Sequence, residues 1–301
     1  MCLCFDESLY YIKPLAIISD YRMKSIWSSS SEAAKYSAKR PEHPVEIVDS
    51  VVAFLRKKYS GPMSMAIDVG CGTGMSTCNL FGTFDKILGV DLSEAMVDQA
   101  KKNFTREDVE FKVSGAEKLP VENTSVQTVL VGRAIHYFDQ KTFFQEVDRI
   151  LVPGGVVAYY SVHFPTVLVP GSEEKSEKVN NIFWEYMDTH LDSYWPRNAF
   201  DGEIIGARNR RDYYVNIIKH PFEETEVNEK VSYDREVSIA DLARELDTYS
   251  AAVKHREDKG DKAADDMIGE FVERVKKVLE ADNDQVNVVT RNSFFIVMAR
   301  K

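Results

Sequence analysis

The sequence has little cysteine, no excess of positive charge and no long uninterrupted apolar run. Its four cysteines stand at positions 2, 4, 71 and 78, a spacing that fits neither a disulfide framework nor a zinc site, so a reducing compartment is expected. With 38 Lys and Arg against 48 Asp and Glu the formal charge is −10, which argues against a general binder of phosphate backbones, since that affinity needs clustered cations. Residues 1–19 are fairly apolar, but Asp6, Glu7, Lys13 and Pro14 interrupt them and no basic segment precedes them. They read as neither a signal peptide nor a membrane span. Cys2 and Cys4 are acylation candidates, with two free terminal thiols the plainer alternative, and Met23 is a second candidate start. What is present, 44% hydrophobic and 29% charged residues in a chain of 301, is the composition of an ordinary globular protein of one large domain or two small ones.

The chain is organised around Ala66-Ile67-Asp68-Val69-Gly70-Cys71-Gly72-Thr73-Gly74. An apolar run over 63–69, broken only by Ser64 and Asp68, meets glycine at alternate positions, and residues from 75 to about 80 read as helix. Glycine is needed where the backbone turns sharply and a ligand approaches closer than a Cβ would allow. The spacing excludes two ligands. A dinucleotide fingerprint wants its third glycine three places after the second, where Met75 stands, and a phosphate loop wants a Gly-Lys-Ser/Thr that does not follow. A glycine-rich turn with no ligand is the alternative.

An acid on a strand followed by Gly-x-Gly-x-Gly resembles the class I S-adenosylmethionine-dependent methyltransferases. The resemblance implies S-adenosyl-L-methionine as cofactor and a Rossmann-like α/β fold: a doubly wound, mostly parallel seven-stranded sheet, here with a helical cap insertion. Asp68 would help orient the cofactor's ammonium group, directly or through water, inside a loop of Gly70, Cys71, Gly72, Thr73 and Gly74. Asp91 ends the next strand (86–90), 23 residues after Asp68 and close to the roughly 20-residue interval at which an acid meets ribose hydroxyls. Leu92 and Met96 follow at the cofactor's edge, and Ser93 caps a helix through 102 with Glu94 in its first turn. After a strand over 109–113, Ser114-Gly115-Ala116-Glu117-Lys118-Leu119-Pro120 is similar to a family segment whose first acid bonds the adenine amino group. Gly115 occupies that place, so Ala116 and Glu117 are cofactor candidates, and Ser114, Glu117 or backbone atoms are left to hold the adenine.

Residues 126–131 read as a buried strand leading into Gly132-Arg133-Ala134-Ile135-His136-Tyr137-Phe138-Asp139, at the carboxyl end of the fourth strand, where open α/β sheets place ligands. Arg133 and Ala134 are assigned to the cofactor, and His136 to the acceptor as a general base or a hydrogen-bonding group; a packed or cofactor-orienting histidine is the alternative. Thr142-x-x-Gln145 reads as a capping box before a helix that buries Phe144, Val147, Ile150 and Leu151. Pro153-Gly154-Gly155 then turns into a fifth strand over 156–160. Upstream, Pro44 opens a helix with Val45, Val48, Val51, Val52 and Leu55 at core spacing. A short helix over 32–39 precedes it. In small-molecule members of the family a segment at this place covers the cofactor, and Tyr36 and Arg40 match its Tyr and Arg-Pro; an exposed connecting helix is the alternative.

Beyond residue 160 the alternation stops. Residues 161–221 read as a cap over the substrate pocket, with a helix-like run through Val179, Ile182, Phe183, Tyr186 and Met187 and the aromatic pair Tyr194-Trp195. The basic residues Arg197, Arg208, Arg210, Arg211, Lys219 and His220 either line an anionic pocket or form a solvated face. Tyr36, His136, Tyr194, Trp195 and Arg197 are the substrate candidates. Residues 224–233 read as a strand, Ser238-Ile239-Ala240-Asp241 caps a helix, and Asp247-Thr248-Tyr249-Ser250-Ala251 resembles a segment of the trans-aconitate methyltransferase-like group. A last helix carries Ile268, Phe271, Val275, Val278 and Leu279, and 287–298 returns as the antiparallel strand with which the family closes its sheet. The expected divisions are 1–43 (terminal segment and lid), 44–160 (cofactor-binding core), 161–221 (cap) and 222–301 (completion of the sheet).

The resemblance implies methyl transfer by in-line displacement, in which positioning supplies much of the rate. Likeness to the trans-aconitate group makes the acceptor a small acidic metabolite methylated on a carboxylate oxygen. The Asn/Asp-Pro-Pro-Tyr/Phe motif of nucleic-acid amino-methyltransferases is missing, and no metal constellation is evident. A phenol, amine, lipid or protein acceptor is a second reading, and a noncatalytic cofactor-binding regulator a third. A cytoplasmic monomer or weak homodimer is expected, with a small-molecule methyl acceptor as partner and neither nucleic acid nor membrane.

Overall fold

Pro44 precedes α1 (Val45–Arg56), whose buried stripe of Ile47, Val48, Val51, Phe54 and Leu55 covers one face of a sheet. Burying each of these side chains contributes about 1.5–3 kcal/mol, enough to hold the helix without a side-chain cap. The structure, a computed structural model, describes residues 43–195, 197–198 and 205–301. The expected lid, with Tyr36 and Arg40, lies outside the described residues.

After α1 come β1 (Met65–Val69), β2 (Lys86–Asp91), α2 (Glu94–Asn103), β3 (Val109–Val113), β4 (Val126–Gly132), α3 (Gln140–Ile150) and β5 (Leu151–Val162). β6 (Thr166–Leu168) and α4 (Glu173–Tyr186) open the cap. β7 (Glu224–Asn228), β8 (Ser232–Ser238), α5 (Ile239–Leu246), α6 (Ser250–Lys259), α7 (Asp261–Leu279) and β9 (Asn287–Arg300) complete the order. β3, β2, β1, β4 and β5 lie side by side, all parallel. Alternate residues face opposite layers: Ile67, Val129 and Val157 meet Phe143, Phe144 and Val147 of α3, while Ala66, Leu130 and Ala158 meet the α1 stripe.

β9 belongs to two sheets. Its carboxyl-terminal half pairs antiparallel with β5, from Val162 opposite Phe294 to Val156 opposite Arg300, and with β7 on its other side, which closes a seven-stranded, mostly parallel sheet. Its amino-terminal half runs on past that sheet to pair with β6 and β8. This explains why the stretch expected as one strand over 224–233 is two: the Lys230 amide turns onto the Asn228 side chain at 2.9 Å, and the chain passes from one half of β9 to the other. A second apolar core grows on the extension. Phe164, Val179, Phe183 and Trp195 of the cap pack there with Leu242, Tyr249, Phe271 and Val275 from α5 to α7.

Two local expectations are corrected, and one helix was not expected. Residues 75–80 are not a regular helix: a turn leads to a short 3-10 segment, Thr77–Leu80, because the Ser76 and Thr77 hydroxyls both reach back to Asp68. The cap of α3 is Asp139, which accepts from the Thr142 amide at 3.3 Å and from its hydroxyl at 2.7 Å, so Thr142 sits inside the helix. The helix α6 carries no apolar periodicity and had no signal; it buries only Ala251, Ala252 and His255, and Arg256 ties it to Asp247 and Asp265 at 2.9 and 2.8 Å. The caps expected at Ser93 and Ser238 are present, each accepting from the amide three residues on.

Candidate functional site

β1 delivers a fully buried Asp68 to the glycine loop. Its Oδ2 accepts hydrogen bonds from Ser76 Oγ at 2.7 Å and Thr77 Oγ1 at 2.6 Å, while Oδ1 meets no partner among the described residues. Burial lifts this carboxyl to a pKa of about 6, with the two hydroxyls pulling it down and Asp91 pushing it up. A buried acceptor without a donor is costly, and an ammonium group is the donor that would satisfy it. Thr73 Oγ1 is likewise buried with no partner among the described residues.

Gly70 must be glycine for close approach: its φ is +72°, and a Cβ there would stand 2.5 Å from the Cβ of Ala134. Gly72, at φ +54°, is the reverse case, since a Cβ would meet nothing among the described residues within 4 Å. It borders an open cradle. Asp91 closes β2 and holds the loop, its Oδ2 accepting from the Gly72 amide at 2.9 Å and its Oδ1 from the Ser93 amide at 2.8 Å. Burial raises the Asp91 pKa, against the amides of Ser93, Gly72 and Leu92. Cys71 is buried under the loop with its thiol pKa pushed up, first by burial and then by Asp91 and Asp68, so it is a packing group. Met96 is buried in the first turn of α2, and its amide donates to Ser93 Oγ at 3.3 Å.

On the far side of the cradle Ala116 is buried, and Glu117 accepts from the Asp139 amide at 3.0 Å. The Ser114 hydroxyl donates to the Lys118 carbonyl at 3.0 Å. At the end of β4, Arg133 adopts φ +59°, rare for a side-chain-bearing residue, and its guanidinium hydrogen-bonds to the His43 ring. The glycine loop, Asp91, Glu117 and Arg133 thus lie together at the carboxyl ends of β1 to β4.

His136 lies one helical turn further on, only 8% exposed. Its Nδ1 is 2.7 Å from the Tyr214 hydroxyl, and its carbonyl accepts from Asn198 Nδ2 at 3.0 Å. Burial, and then the charge of Arg210, push its pKa down to about 3, so the ring is neutral. Arg210 comes from the cap, its guanidinium 4.7 Å from the Phe164 ring centre and 5.5 Å from that of Trp195. Trp195, buried, packs on Phe164 at 5.4 Å, and Tyr249 closes edge-on against Phe164 at 5.1 Å.

These positions can be set beside known proteins. Residues 67–159 match the methyltransferase domain family. A methyltransferase of Dictyostelium discoideum is 26% identical over 261 residues, 86% of this chain and 89% of that one. An S-adenosylmethionine-dependent methyltransferase of Saccharomyces cerevisiae is 28% identical over 141 residues, 45% of this chain and 47% of its own. Against that yeast relative the match spans less than half of either protein. A type II methyltransferase structure from Anaeromyxobacter dehalogenans superposes with a TM-score of 0.66 at 21% identity, covering 87% of this chain and 97% of that one, which shows the fold. The chain carries a class I methyltransferase domain. Its cofactor is S-adenosyl-L-methionine, and the unpartnered Asp68 Oδ1 and the open side of Gly72 fit that group.

In this methyltransferase, Asp68, the loop, Asp91, Ala116, Glu117, Arg133 and Ala134 lie at the carboxyl edge of the sheet, and Arg210 lies over the Trp195 ring while its charge acts on His136. Tyr194 is elsewhere. Its hydroxyl donates to Asp258 of α6 at 2.6 Å and its ring faces His255, on the outer side of the cap. Arg197 is exposed. The sequence reading did not reach Tyr214, Asn198 or Phe164, which carry no motif, and it named Arg210 only as one of a basic cluster. Ser76 and Thr77, two and three residues past the loop, were a signal for partners of Asp68. No helix among the described residues is long and apolar enough to cross a membrane.

Proposed function

We propose that this methyltransferase esterifies a carboxylate of a small acidic acceptor. The observation that carries the reading is Arg210, a guanidinium lying over the rings of Phe164 and Trp195 whose charge reaches His136. Aromatic faces orient a guanidinium and shed part of its water, and its planar fork suits a carboxylate, whereas a cationic amine acceptor would be repelled. Bound S-adenosyl-L-methionine supplies an activated methyl group, displaced in line from sulfur to leave a neutral thioether. A carboxylate is already a nucleophile at neutral pH, so the chain has only to position it.

In this reading Asp68 Oδ1 takes the cofactor's ammonium group, Asp91 the ribose hydroxyls, and Ala116 and Glu117 border the adenine. His136 and Arg210 hold the acceptor, and Trp195 forms the wall behind it. The narrower likeness to the trans-aconitate group belongs to this proposal as well: Tyr249, within the segment that carries it, packs against Phe164 and so borders the same wall.

The test is transfer of labelled methyl from S-adenosyl-L-methionine into a small-molecule extract, followed by mild alkali. Label released as volatile methanol is the expected result and marks a methyl ester. Label that survives alkali marks an ether, amine or thioether and overturns the carboxylate reading.

A further inference from the structure

Lys219 and His220 end the basic series noted in the sequence, and they stand at a second cavity. Its walls are the first half of α3, from Asp139 to Gln145, and the chain after the wide π-type turn Tyr213–Ile217, together with Asn198. The residues that line it include none of the glycine loop, nor Asp91, Glu117, Arg133 or Arg210. Its volume is about 760 Å³, inside the range of about 300–1,000 Å³ usual for small-molecule sites.

The lining combines an apolar surface with charge of one sign. Phe144, Ile217 and Pro221 supply the apolar part. The His220 ring stacks on Phe222 at 5.9 Å and lies 5.7 Å from the Phe144 ring centre. Burial lowers its pKa, so it is a neutral ring and the positive charge belongs to Lys141 and Lys219. Neither lysine forms an ion pair among the described residues, although the chain carries a net charge of −10. Lys219 Nζ donates to the Asn216 carbonyl at 2.6 Å, a contact that leaves its charge uncompensated. Asp139 is the acid of the lining, and both its carboxylate oxygens are engaged by Thr142, from the amide at 3.3 Å and from the hydroxyl at 2.7 Å.

The cavity is also braced. Asn198 Nδ2 donates to the His136 carbonyl at 3.0 Å and to the Tyr213 hydroxyl at 2.8 Å, and Gln140 Nε2 donates to that hydroxyl at 2.6 Å. These bonds join its walls, and a wall set beforehand lowers the ordering cost of binding.

We infer that this cavity is a second ligand site, which takes a small organic anion: the apolar body lies on Phe144, Ile217 and Pro221, and the oxyanion head meets Lys141 and Lys219. An ammonium acts as a point charge and does not demand the planar match that a guanidinium makes, so the head is a carboxylate, sulfonate or phosphate alike. The site does not depend on the carboxylate reading of the methyl acceptor.

The probe is 8-anilinonaphthalene-1-sulfonate, an anion with an aromatic body, titrated by fluorescence into the full-length protein saturated with S-adenosyl-L-homocysteine. N-phenyl-1-naphthylamine, the same body without the sulfonate, is the neutral control. Lys141→Gln with Lys219→Gln should weaken the sulfonate about tenfold and leave the neutral compound unchanged. Both lysines are exposed, so the double variant keeps its fold. Arg210→Gln should leave both affinities unchanged. No binding of the sulfonate to wild type, or equal affinity in the lysine variant, overturns the site. A loss confined to Arg210→Gln puts the probe against the acceptor wall and overturns it as well. Sodium sulfate at the probe's concentration should not displace it; displacement would mean that charge alone suffices and would overturn the apolar half of the site.

Discussion

Asp91 holds the Gly72 amide at 2.9 Å, and that bond ties the end of β2 to the tip of the glycine loop. One carboxylate thereby shapes the loop and the start of α2. Asp91→Ala is expected to weaken cofactor binding by about 1.5–3 kcal/mol, the range for losing a hydrogen bond to a charged group and leaving its partner unsatisfied. Titration calorimetry on folded protein measures it. Unchanged affinity would remove Asp91 from the cofactor's ribose.

Gly72→Ala separates backbone strain from lost space. Its φ of +54° costs a side-chain-bearing residue roughly 1–2 kcal/mol of stability. The new Cβ meets no atom of the described residues within 4 Å but intrudes on the proposed cofactor site, so cofactor affinity should fall about tenfold, or 1.4 kcal/mol, as well. Gly171→Ala is the control, with φ +79° and equally open surroundings just before α4. It should lose similar stability and keep full affinity; equal affinity losses in both variants would refute the cradle.

His136 is neutral in the folded protein, with its pKa pushed down to about 3 from an ordinary 6.5. Between those values the unfolded chain binds more protons than the folded one, so stability falls as pH falls below 6.5. Asp68, raised to about 6, acts in the opposite sense, losing stability as pH rises from 3.8. It is common to wild type and His136→Gln and cancels in their difference. Urea unfolding should show the wild type losing about 1.5 kcal/mol relative to His136→Gln between roughly pH 6.5 and 5. A flat difference would mean that the ring is not held neutral.

Arg210→Gln keeps a polar side chain and removes the cation over Phe164 and Trp195. For an anionic acceptor kcat/KM should fall by about tenfold to a hundredfold, the size of a lost charged hydrogen bond, with cofactor affinity unchanged. An equal loss with the neutral amide analogue of the acceptor would show that Arg210 supports the wall and does not read charge.

Arg300, near the end of β9 and 6% exposed, donates to the carbonyls of Leu55 at 3.2 Å and Gly154 at 3.0 Å and pairs with Glu224 at 3.1 Å. It joins α1, β5 and β7. Arg300→Met preserves much of the volume but strands buried carbonyls, and should cost about 2–4 kcal/mol of unfolding free energy in urea. A loss below about 0.5 kcal/mol, the scatter of surface substitutions, would show that these contacts are replaceable.

The amino-terminal half was legible because its signals are local. An acid, a strand and three glycines lie within one short stretch, and the α1 and α3 stripes repeat at helical spacing, so residues near one another in sequence determined the strand–helix order of this half. The two-sheet role of β9 was not legible. Which strands pair with each half depends on where a 14-residue strand leaves the main sheet, and that is a matter of register.

By itself the sequence determined the cofactor loop, the strand–helix alternation and the histidine at the end of β4. Only the tertiary structure decided which Asp68 oxygen is left over, that Tyr194 faces away from the site, and that Arg210, Tyr214 and Asn198 converge on His136. The last two reach it across 78 and 62 residues of chain. No local preference encodes such distances. They follow from packing the cap onto the sheet, where burial makes every hydrogen without an acceptor expensive and so selects one arrangement.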